Sequence, residues 1–473
     1  MHRLAAIALI AATPAAAQTE PGATPSTASE AWQAPTLTVM RYDEHWDRLA
    51  DPTARDDHWT GRFKYIPVGT AGAYLTTGIE LRVRNEKYGN NLWGEGVAPD
   101  DGYLWLRALP YADLHVGRVR GFVQPILAFA AGVQPSAGPV DQTRADLLQG
   151  FADVRIGNAE TGAANATGVT LRGGRQMLSF GSERLIGTRY GPNVPLAFDG
   201  ARAIVSLPGA RVDLLAVRPV EAGAGSFDDR GSRSESLWGA YATVPIGEAG
   251  LDFYLLSYRN SDAVFAGVTG RELRHSLGVR AYGNTGIWHW NLEGVAQFGR
   301  FAGGTIHAWT IATELGRRFP GALFSPDAVL RFNMVSGDRH AGDGRLGTFN
   351  ALFPKGKYFG ELSPIGPANI VSLNPRVAFA LGDGVSASLA GMAYWRQSRG
   401  DGIYDVPGHL IRAPGSSRAR FIGKQAEATL AWQATPELEL STSLSAFAPG
   451  TFVRQTGTAQ TIGLLGLEAN FRF

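Results

Sequence analysis

The stretch Tyr74-Leu-Thr-Thr-Gly-Ile-Glu-Leu-Arg-Val-Arg-Asn-Glu86 separates apolar from charged side chains by parity. Positions 75, 77, 79, 81 and 83 are Leu, Thr, Ile, Leu and Val, whereas positions 80, 82, 84 and 86 are Glu, Arg, Arg and Glu. Because successive side chains of a β-strand point to opposite faces, this strand has one apolar and one charged face. In a soluble sandwich the apolar face would form the core, but in a membrane barrel it would contact lipid and the charged face would line a lumen.

The same alternation continues along the chain and predicts eighteen strands, beginning near residues 74, 102, 119, 144, 168, 200, 211, 236, 250, 272, 287, 306, 327, 373, 385, 419, 438 and 460. Tight turns such as 284–286 mostly alternate with long connections such as 337–372. Short turns at one rim and long loops at the other are typical of bacterial outer-membrane barrels. We therefore predict an all-β fold, an antiparallel transmembrane β-barrel of about 18 strands with short periplasmic turns and long extracellular loops, wide enough to enclose water.

Both ends of the chain predict export. Residues 1–17 combine a basic start, an apolar run and a small-residue cleavage site before Gln18, which indicates a secretory signal peptide. The apolar run is too short to cross a bilayer of about 30 Å as a helix. The terminal strand ends in Phe473, which resembles the signal read by the barrel-insertion machinery of Gram-negative bacteria. We expect an outer-membrane protein in which residues 18–72 form an N-terminal periplasmic segment that leads into or folds within the barrel, and residues 73–473 form the barrel.

The sequence lacks the motifs of catalytic and cofactor chemistry. It contains no Gly-x-Ser-x-Gly elbow, no His-Glu-x-x-His pair and no glycine-rich phosphate loop between a strand and a helix. Ser182 fits a loop hydrogen bond better than a nucleophile, and His115 fits a lumen residue better than a metal ligand. We expect no enzyme activity, cofactor, metal or nucleic-acid partner, with a barrel enzyme and a soluble β-protein as the rival classes.

The basic residues are unusual, because only five of the 44 are lysines. Arginine provides a permanently charged, fork-shaped donor that binds carboxylates. Parity places the following arginines on the lumen face: Arg82, Arg84, Arg107, Arg120, Arg155, Arg172, Arg202, Arg274, Arg280, Arg331, Arg376 and Arg396. They either form a mutually neutralising network with inward acids, or include surplus cations that select anions, as rings of arginine do in anion pores.

Seven segments of the chain resemble the alginate export family of outer-membrane proteins. These segments are 41–46, 64–67, 100–103, 174–176, 198–202, 297–301 and the long stretch 342–361. The resemblance implies an eighteen-stranded monomeric barrel with an arginine-lined constriction, gated by folded-in loops, that passes an anionic uronate polysaccharide. It also implies that Arg82, Arg107, Arg155, Arg172 and Arg202 line the constriction. By the same resemblance, Lys64 would lie at the periplasmic mouth.

The leading functional hypothesis is therefore a channel for export of an alginate-like anionic polysaccharide through an arginine-lined lumen. Its expected partners are the polysaccharide, outer-membrane lipid, the barrel-insertion machinery and periplasmic export proteins. The alternative is a general diffusion or uptake porin for small acidic solutes or oligosaccharides. One barrel fold carries different cargo in different proteins, so the fold leaves both open.

Overall fold

The computed structural model describes residues 36–55, 57–69, 72–158 and 167–473 of the chain. The predicted signal peptide, residues 18–35 and residues 159–166 lie outside the described residues. Within the described part, no helix has the length and apolar character needed to cross a membrane. The longest helical element there is a single α-helix of six residues, Thr451–Thr456.

Eighteen antiparallel strands close into a barrel, which confirms the predicted fold and strand number. In chain order, the barrel strands are β1 (Tyr74–Gly89), β2 (Asp101–Val116), β3 (Val119–Ala131), β4 (Arg144–Asn158), β5 (Thr167–Gln176), β6 (Phe198–Leu207), β7 (Ala210–Glu221), β8 (Glu235–Ile246), β9 (Ala249–Phe265), β10 (Val268–Thr285), β11 (Trp288–Phe301), β12 (Gly304–Arg318), β13 (Asp327–Val335), β14 (Ile370–Gly382), β15 (Val385–Arg396), β16 (Phe421–Gln433), β17 (Leu438–Pro449) and β18 (Ile462–Arg472). Each strand pairs with the next, and β18 pairs with β1 from Gly463↔Gly89 to Arg472↔Glu80. Closure leaves no free sheet edge, so the backbone is satisfied without water.

Short turns and long loops lie at opposite rims, with two exceptions. The long connections include 177–197, 336–369 and 397–420, all at the extracellular rim. At the same rim, β9–β10 and β11–β12 are joined by two residues only. Ala266 and Gly267 both have positive φ in the first of these turns, as a tight hairpin requires. For this reason β10 begins at Val268, four residues before its predicted start near 272.

The burial pattern assigns the two faces of the wall. Leu277 and Leu467 are 53% and 50% exposed on the outer surface, whereas Arg82 and Arg280 are 3% and 4% exposed. The apolar parity therefore faces outward and the charged parity faces the interior, as predicted. An outward apolar band with polar side chains inside is the arrangement of a membrane barrel.

Folded loops and the N-terminal segment occupy part of the interior. The largest buried cluster joins Phe180, Phe353, Phe359 and Phe452, from three different loop regions of the chain, to inward residues of the strands. A second cluster joins Tyr42 to the β2–β4 wall. The N-terminal segment contains four short 3-10 turns between Arg41 and Phe63, and its Ile66–Pro67 pairs with the start of β1. These insertions determine which wall residues contact water.

Candidate functional site in the lumen

Most of the predicted lumen arginines form ion pairs across the barrel wall. Arg107 pairs with Glu80 (2.7 Å), Arg172 with Asp153 (2.8 Å), Arg202 with Asp213 (2.8 Å), Arg280 with Asp252 (2.9 Å) and Arg331 with Glu314 (2.7 Å). Arg120 pairs likewise with Asp113, and Arg274 with Glu272. Because an unpaired charge is costly where water is excluded, these partners favour a structural role for most of the network.

Arg84 is the most heavily paired of the predicted residues. Its guanidinium lies within 2.7 Å of carboxylate oxygens of Glu361 and Glu468, and it also contacts Glu86. Lys357 bonds to two of the same acids, Glu86 and Glu361. Glu361 and Lys357 belong to the in-folded loop 336–369, so this cluster ties that loop to β1 and β18.

Arg82 and Arg107 hold a second loop through its backbone. Arg82 donates to the carbonyl oxygens of Tyr190, Gly191 and Pro192 at 3.1, 3.2 and 2.7 Å. Arg107 donates to the carbonyls of Tyr190 and Pro192, and its guanidinium lies 4.2 Å from the centre of the Tyr190 ring. The loop 177–197 is thereby fixed against the β1–β2 wall, where it narrows the lumen.

The two in-folded loops also bind each other. Gly187 donates its amide to the carbonyl of Phe353 (2.8 Å), and Lys355 donates its amide to the carbonyl of Glu183 (3.0 Å). From the other side, the side-chain amide of Asn193 donates to the carbonyls of Leu106, Phe129 and Asp141. The loops therefore form a layer that is hydrogen-bonded to the wall at several places.

The N-terminal segment packs against lumen-facing aromatic residues. The Tyr42 ring meets Phe122 and Phe151 edge-on at 5.6 and 5.1 Å, and its hydroxyl donates to the carbonyl of Met177 (3.0 Å). Arg172 stacks over the Tyr42 ring, 4.4 Å from its centre. Two predicted arginines are thereby covered, since Arg120 also donates to the Tyr42 carbonyl.

Lys64 lies beneath the same segment, beside the end of the chain. Its amine donates to the Thr77 carbonyl (2.8 Å) and the Tyr111 hydroxyl (2.7 Å), and it lies 5.5 Å from the centre of the Phe473 ring. Burial, together with the charge of Arg41, lowers the pKa of Lys64 to about 7, although Glu44 opposes this shift. The segment thus places a weakly basic amine in a nearly dry site.

Two arginines on the β13–β14 wall differ from those above. The Arg331 side chain is 31% exposed although it bonds to Glu314. Arg331 is opposite Asn374 and Arg376 is opposite Val329, so the two arginines are diagonal neighbours on the lumen face. Within the described part of the chain, Arg376 has no hydrogen-bond or ion-pair partner.

The predicted constriction residues do not form a single ring. Arg82 and Arg107 meet one loop, Arg172 is covered by Tyr42, and Arg202 lies 5.0 Å from the Phe180 ring. Arg155 is apart from them and donates to the carbonyl of Gly117 in the β2–β3 turn. Parity could place these wall residues, but it carries no information on cations in loops.

One such loop cation, Lys355, lies near the β13 wall. Burial and the nearby charge of Arg331 lower the pKa of Lys355 to about 8. Its other charged neighbours include Glu314, Glu183 and Arg184. Lys355 therefore adds positive charge beside Arg331, and alternation of strand residues could not have identified it.

The residues weighed for other chemistry have structural partners. Ser182 donates its hydroxyl to Glu293, and His115 lies 3.1 Å from Asp113. Asp146, Asp228 and Asp229 are the one group of carboxylates in the described chain that approach closely enough to share an ion. Asp146 also lies 3.7 Å from Arg175, and amide groups bond to all three carboxylates.

The closed barrel, the outward apolar wall and the charged interior define an outer-membrane channel protein of the porin kind. Residues 73–462 match the alginate export family, and the chain belongs to that family. Its location is the outer membrane of a Gram-negative bacterium. No curated protein sequence matches the chain.

Solved porins share the fold at low sequence identity. OccK2 (OpdF) of Pseudomonas aeruginosa in complex with glucuronate has a TM-score of 0.56 and 13% identity, covering 84% of this chain and 98% of its own. A BenF-like porin from Pseudomonas fluorescens Pf-5 has a TM-score of 0.58 and 11% identity, with 84% and 98% covered. OccAB3 of Acinetobacter baumannii has a TM-score of 0.56 and 11% identity, with 84% and 99% covered.

Proposed function

We propose that this channel exports an anionic, uronate-type polysaccharide. The observation that carries the proposal is Arg376, an inward cation with no hydrogen-bond or ion-pair partner in the described part of the chain, next to the partly exposed Arg331. The carboxylates of a uronate chain would meet these guanidinium groups as they pass. Arginine suits this role because its planar fork binds a carboxylate through two parallel hydrogen bonds.

Passage requires binding that is weak and repeated. A conducting site must attract its cargo and also release it, and several adjacent sites achieve both. Arg331, Arg376 and Lys355 provide three cations on one side of the lumen. The charges of Glu183, Asp327 and Glu427 also act on them, and Glu314 is the acid that bonds to Arg331. A polymer with one carboxylate per sugar would move from one cation to the next while the acid prevents overly tight binding.

Displacement of the loop layer completes the proposed mechanism. Loop 177–197 is held by hydrogen bonds from Arg82 and Arg107, and Tyr42 of the N-terminal segment donates to the carbonyl of Met177 at the start of the same loop. These are discrete contacts that a shift of the loop would break together. The channel is thus proposed to alternate between this constricted form and an open one.

The export proposal is tested by release of uronate polymer from vesicles. Proteoliposomes loaded with polyuronate should release it faster than they release a neutral polymer of equal length, and Arg376→Ala with Arg331→Ala should remove most of that difference. Arg155→Ala, at the turn, is the matched control and should behave as the wild type. Equal release of the two polymers by the wild-type protein would contradict the proposal.

Uptake of small acidic solutes is a second candidate, favoured by the structural neighbours. OccK2 was solved with glucuronate and OpdK of Pseudomonas aeruginosa with vanillate, which are both small carboxylates. The in-folded loops also leave this chain with a narrowed lumen. Under this candidate, liposomes should swell readily in small uronates, and polyuronate should neither cross nor block the channel.

A further inference from the structure

The outer wall of the barrel carries a recess over β14–β18 and β1. Its volume is about 1060 Å³, and it is lined mainly by residues of the lipid-facing parity. The floor contains Gly391, Ala426, Ala446 and Gly463, and the exposed side chains of Leu389 and Leu444 stand beside it. The recess therefore opens to the membrane, and Arg376, Glu427 and Ser445 of the lumen-facing parity also contribute to its lining.

The small residues in the floor are not required by the backbone. Neither Gly391 nor Gly463 has a positive φ. A Cβ atom at Gly463 would meet nothing within 4 Å, and one at Gly391 would meet only the Pro375 ring at 3.8 Å. Larger side chains would fit at both positions, so packing of the wall does not explain the recess.

Two of the five lysines of the chain lie on the same outward face. Lys87 is opposite Leu465, a residue of the recess, and Lys424 is two residues before Ala426 on β16. Both side chains are exposed, and neither has a hydrogen-bond or ion-pair partner within the described part of the chain. Lys87 is near the end of β1 and Lys424 near the start of β16, which are both extracellular ends.

Other cations occupy the same rim of the outer wall. Arg218, Arg259, Arg271 and Arg300 face outward and are exposed toward the extracellular ends of their strands. None of these four has an ion-pair partner among the residues that the structure describes. The recess is thus the apolar part of a rim that carries positive charge toward the outer leaflet.

We propose that the recess binds an acylated phosphoglycolipid of the extracellular leaflet. An acyl chain would lie over the glycine and alanine floor, and Lys87 and Lys424, which are three strands apart, would each attract a different phosphate of the lipid. Lysine is a compact charge that binds phosphate without a fixed geometry, and basic residues beside an apolar surface recognise anionic lipid headgroups. Asp100, at the edge of the recess, accepts the Asn90 amide (2.9 Å) and limits the affinity.

Lipid retention tests the proposal. The purified protein is exchanged into zwitterionic phosphatidylethanolamine that contains phosphorylated lipid A, dephosphorylated lipid A or phosphatidylglycerol, and native mass spectrometry counts the bound lipid. The wild type should retain phosphorylated lipid A preferentially. Lys87→Ala with Lys424→Ala should lower lipid A retention about tenfold. Lys87→Arg with Lys424→Arg should retain more lipid A than this alanine variant, and Asp100→Asn should retain more than the wild type. Unchanged retention in the alanine variant would overturn the proposal, as would equal retention of phosphatidylglycerol and lipid A.

A second pair of variants separates shape from charge. Ala426→Phe fills the floor of the recess, whereas Leu277→Phe adds the same ring to an open part of the outer wall. The first should reduce lipid A retention severalfold and the second should leave it unchanged, with both proteins keeping the heat-dependent gel migration of a closed barrel. Equal retention by the two variants would contradict the assignment of the acyl chain to the recess.

Discussion

Arg82 donates a hydrogen bond of 2.7 Å to the carbonyl oxygen of Pro192, 110 residues further along the chain. No carboxylate lies within ion-pairing distance of this guanidinium in the described part of the chain. Its hydrogen bonds therefore go to the backbone of a loop, and the position of that loop depends in part on this side chain.

Arg82→Ala should loosen loop 177–197 and widen the channel. The variant loses donors to three carbonyl oxygens, and each buried group left unpaired costs about 1–3 kcal/mol. Single-channel recordings should show open events at least severalfold more often. Arg155→Ala, which loses one bond at the rim, serves as control; matching traces for the two variants would count against the loop as a gate.

Tyr42→Ala should release the N-terminal segment from the lumen. The ring packs against Phe122 and Phe151 and supports Arg172, and truncating a packed aromatic residue costs about 3–5 kcal/mol. Limited proteolysis should cleave residues 41–64 in this variant much faster than in the wild type. His45→Ala, an exposed neighbour, should be cleaved at the wild-type rate. Resistance of the Tyr42 variant would show that the segment is held elsewhere.

Docking of that segment should strengthen as the pH rises above 7. Burial lowers the pKa of Lys64 from 10.5 to about 7. Between about pH 7 and 10.5 the Lys64 amine is neutral in the docked state and protonated in the released state. Because the released state binds more protons, its population falls as the pH rises. Below pH 7 the Lys64 amine is protonated in both states, so its titration no longer makes docking depend on pH.

A spin label can follow this pH dependence, because the chain has no cysteine and His45→Cys supplies a unique attachment site. The immobile fraction of the label should increase from pH 7 to 10. Lys64→Met should flatten the curve while the neighbouring Arg41, Glu44 and Tyr111 are unchanged. A curve of the same slope in Lys64→Met would rule out this lysine as the titrating group.

Arg396→Met should destabilise the loop 397–420. The Arg396 guanidinium is fully buried and donates to the carbonyls of Arg399, Asp401, Ser417 and Ala419. Methionine fills much of the space but leaves these acceptors unpaired, at about 1–3 kcal/mol each. Thermal unfolding should occur at a clearly lower temperature than in Arg399→Met. An unchanged unfolding temperature would mean that water replaces the lost donor.

Most of the fold could be predicted from strand alternation, because one face of the barrel wall contacts lipid and the other faces the lumen. In β1 the sequence alone distinguishes Leu81 and Val83 from Arg82 and Arg84, and the structure places them on opposite faces. The error at the start of β10 came from a two-residue turn with Ala266 at positive φ, a position where alanine gives no turn signal.

The contacts inside the lumen could not be predicted in the same way. Parity shows that Arg82 faces inward, but not that Pro192 lies opposite, because loop paths are set by contacts distant in sequence. Parity predicts that Arg331 and Arg376 both face inward. Only the observed bond between Arg331 and Glu314 shows that Arg376 is the one without an ion-pair partner in the described part of the chain. Lys355 lies on a loop, so strand alternation gives no prediction of the direction in which its side chain points.

The reversal potential of the purified protein in a planar bilayer, under a KCl gradient, tests the central claim most directly. The inward cations on β13 and β14, of which Arg376 has no ion-pair partner in the described part of the chain, predict a potential of the sign that chloride permeation gives. The double variant Arg331→Ala with Arg376→Ala should move that potential toward zero, and Arg155→Ala should not. A wild-type potential of the sign that potassium permeation gives would contradict the account.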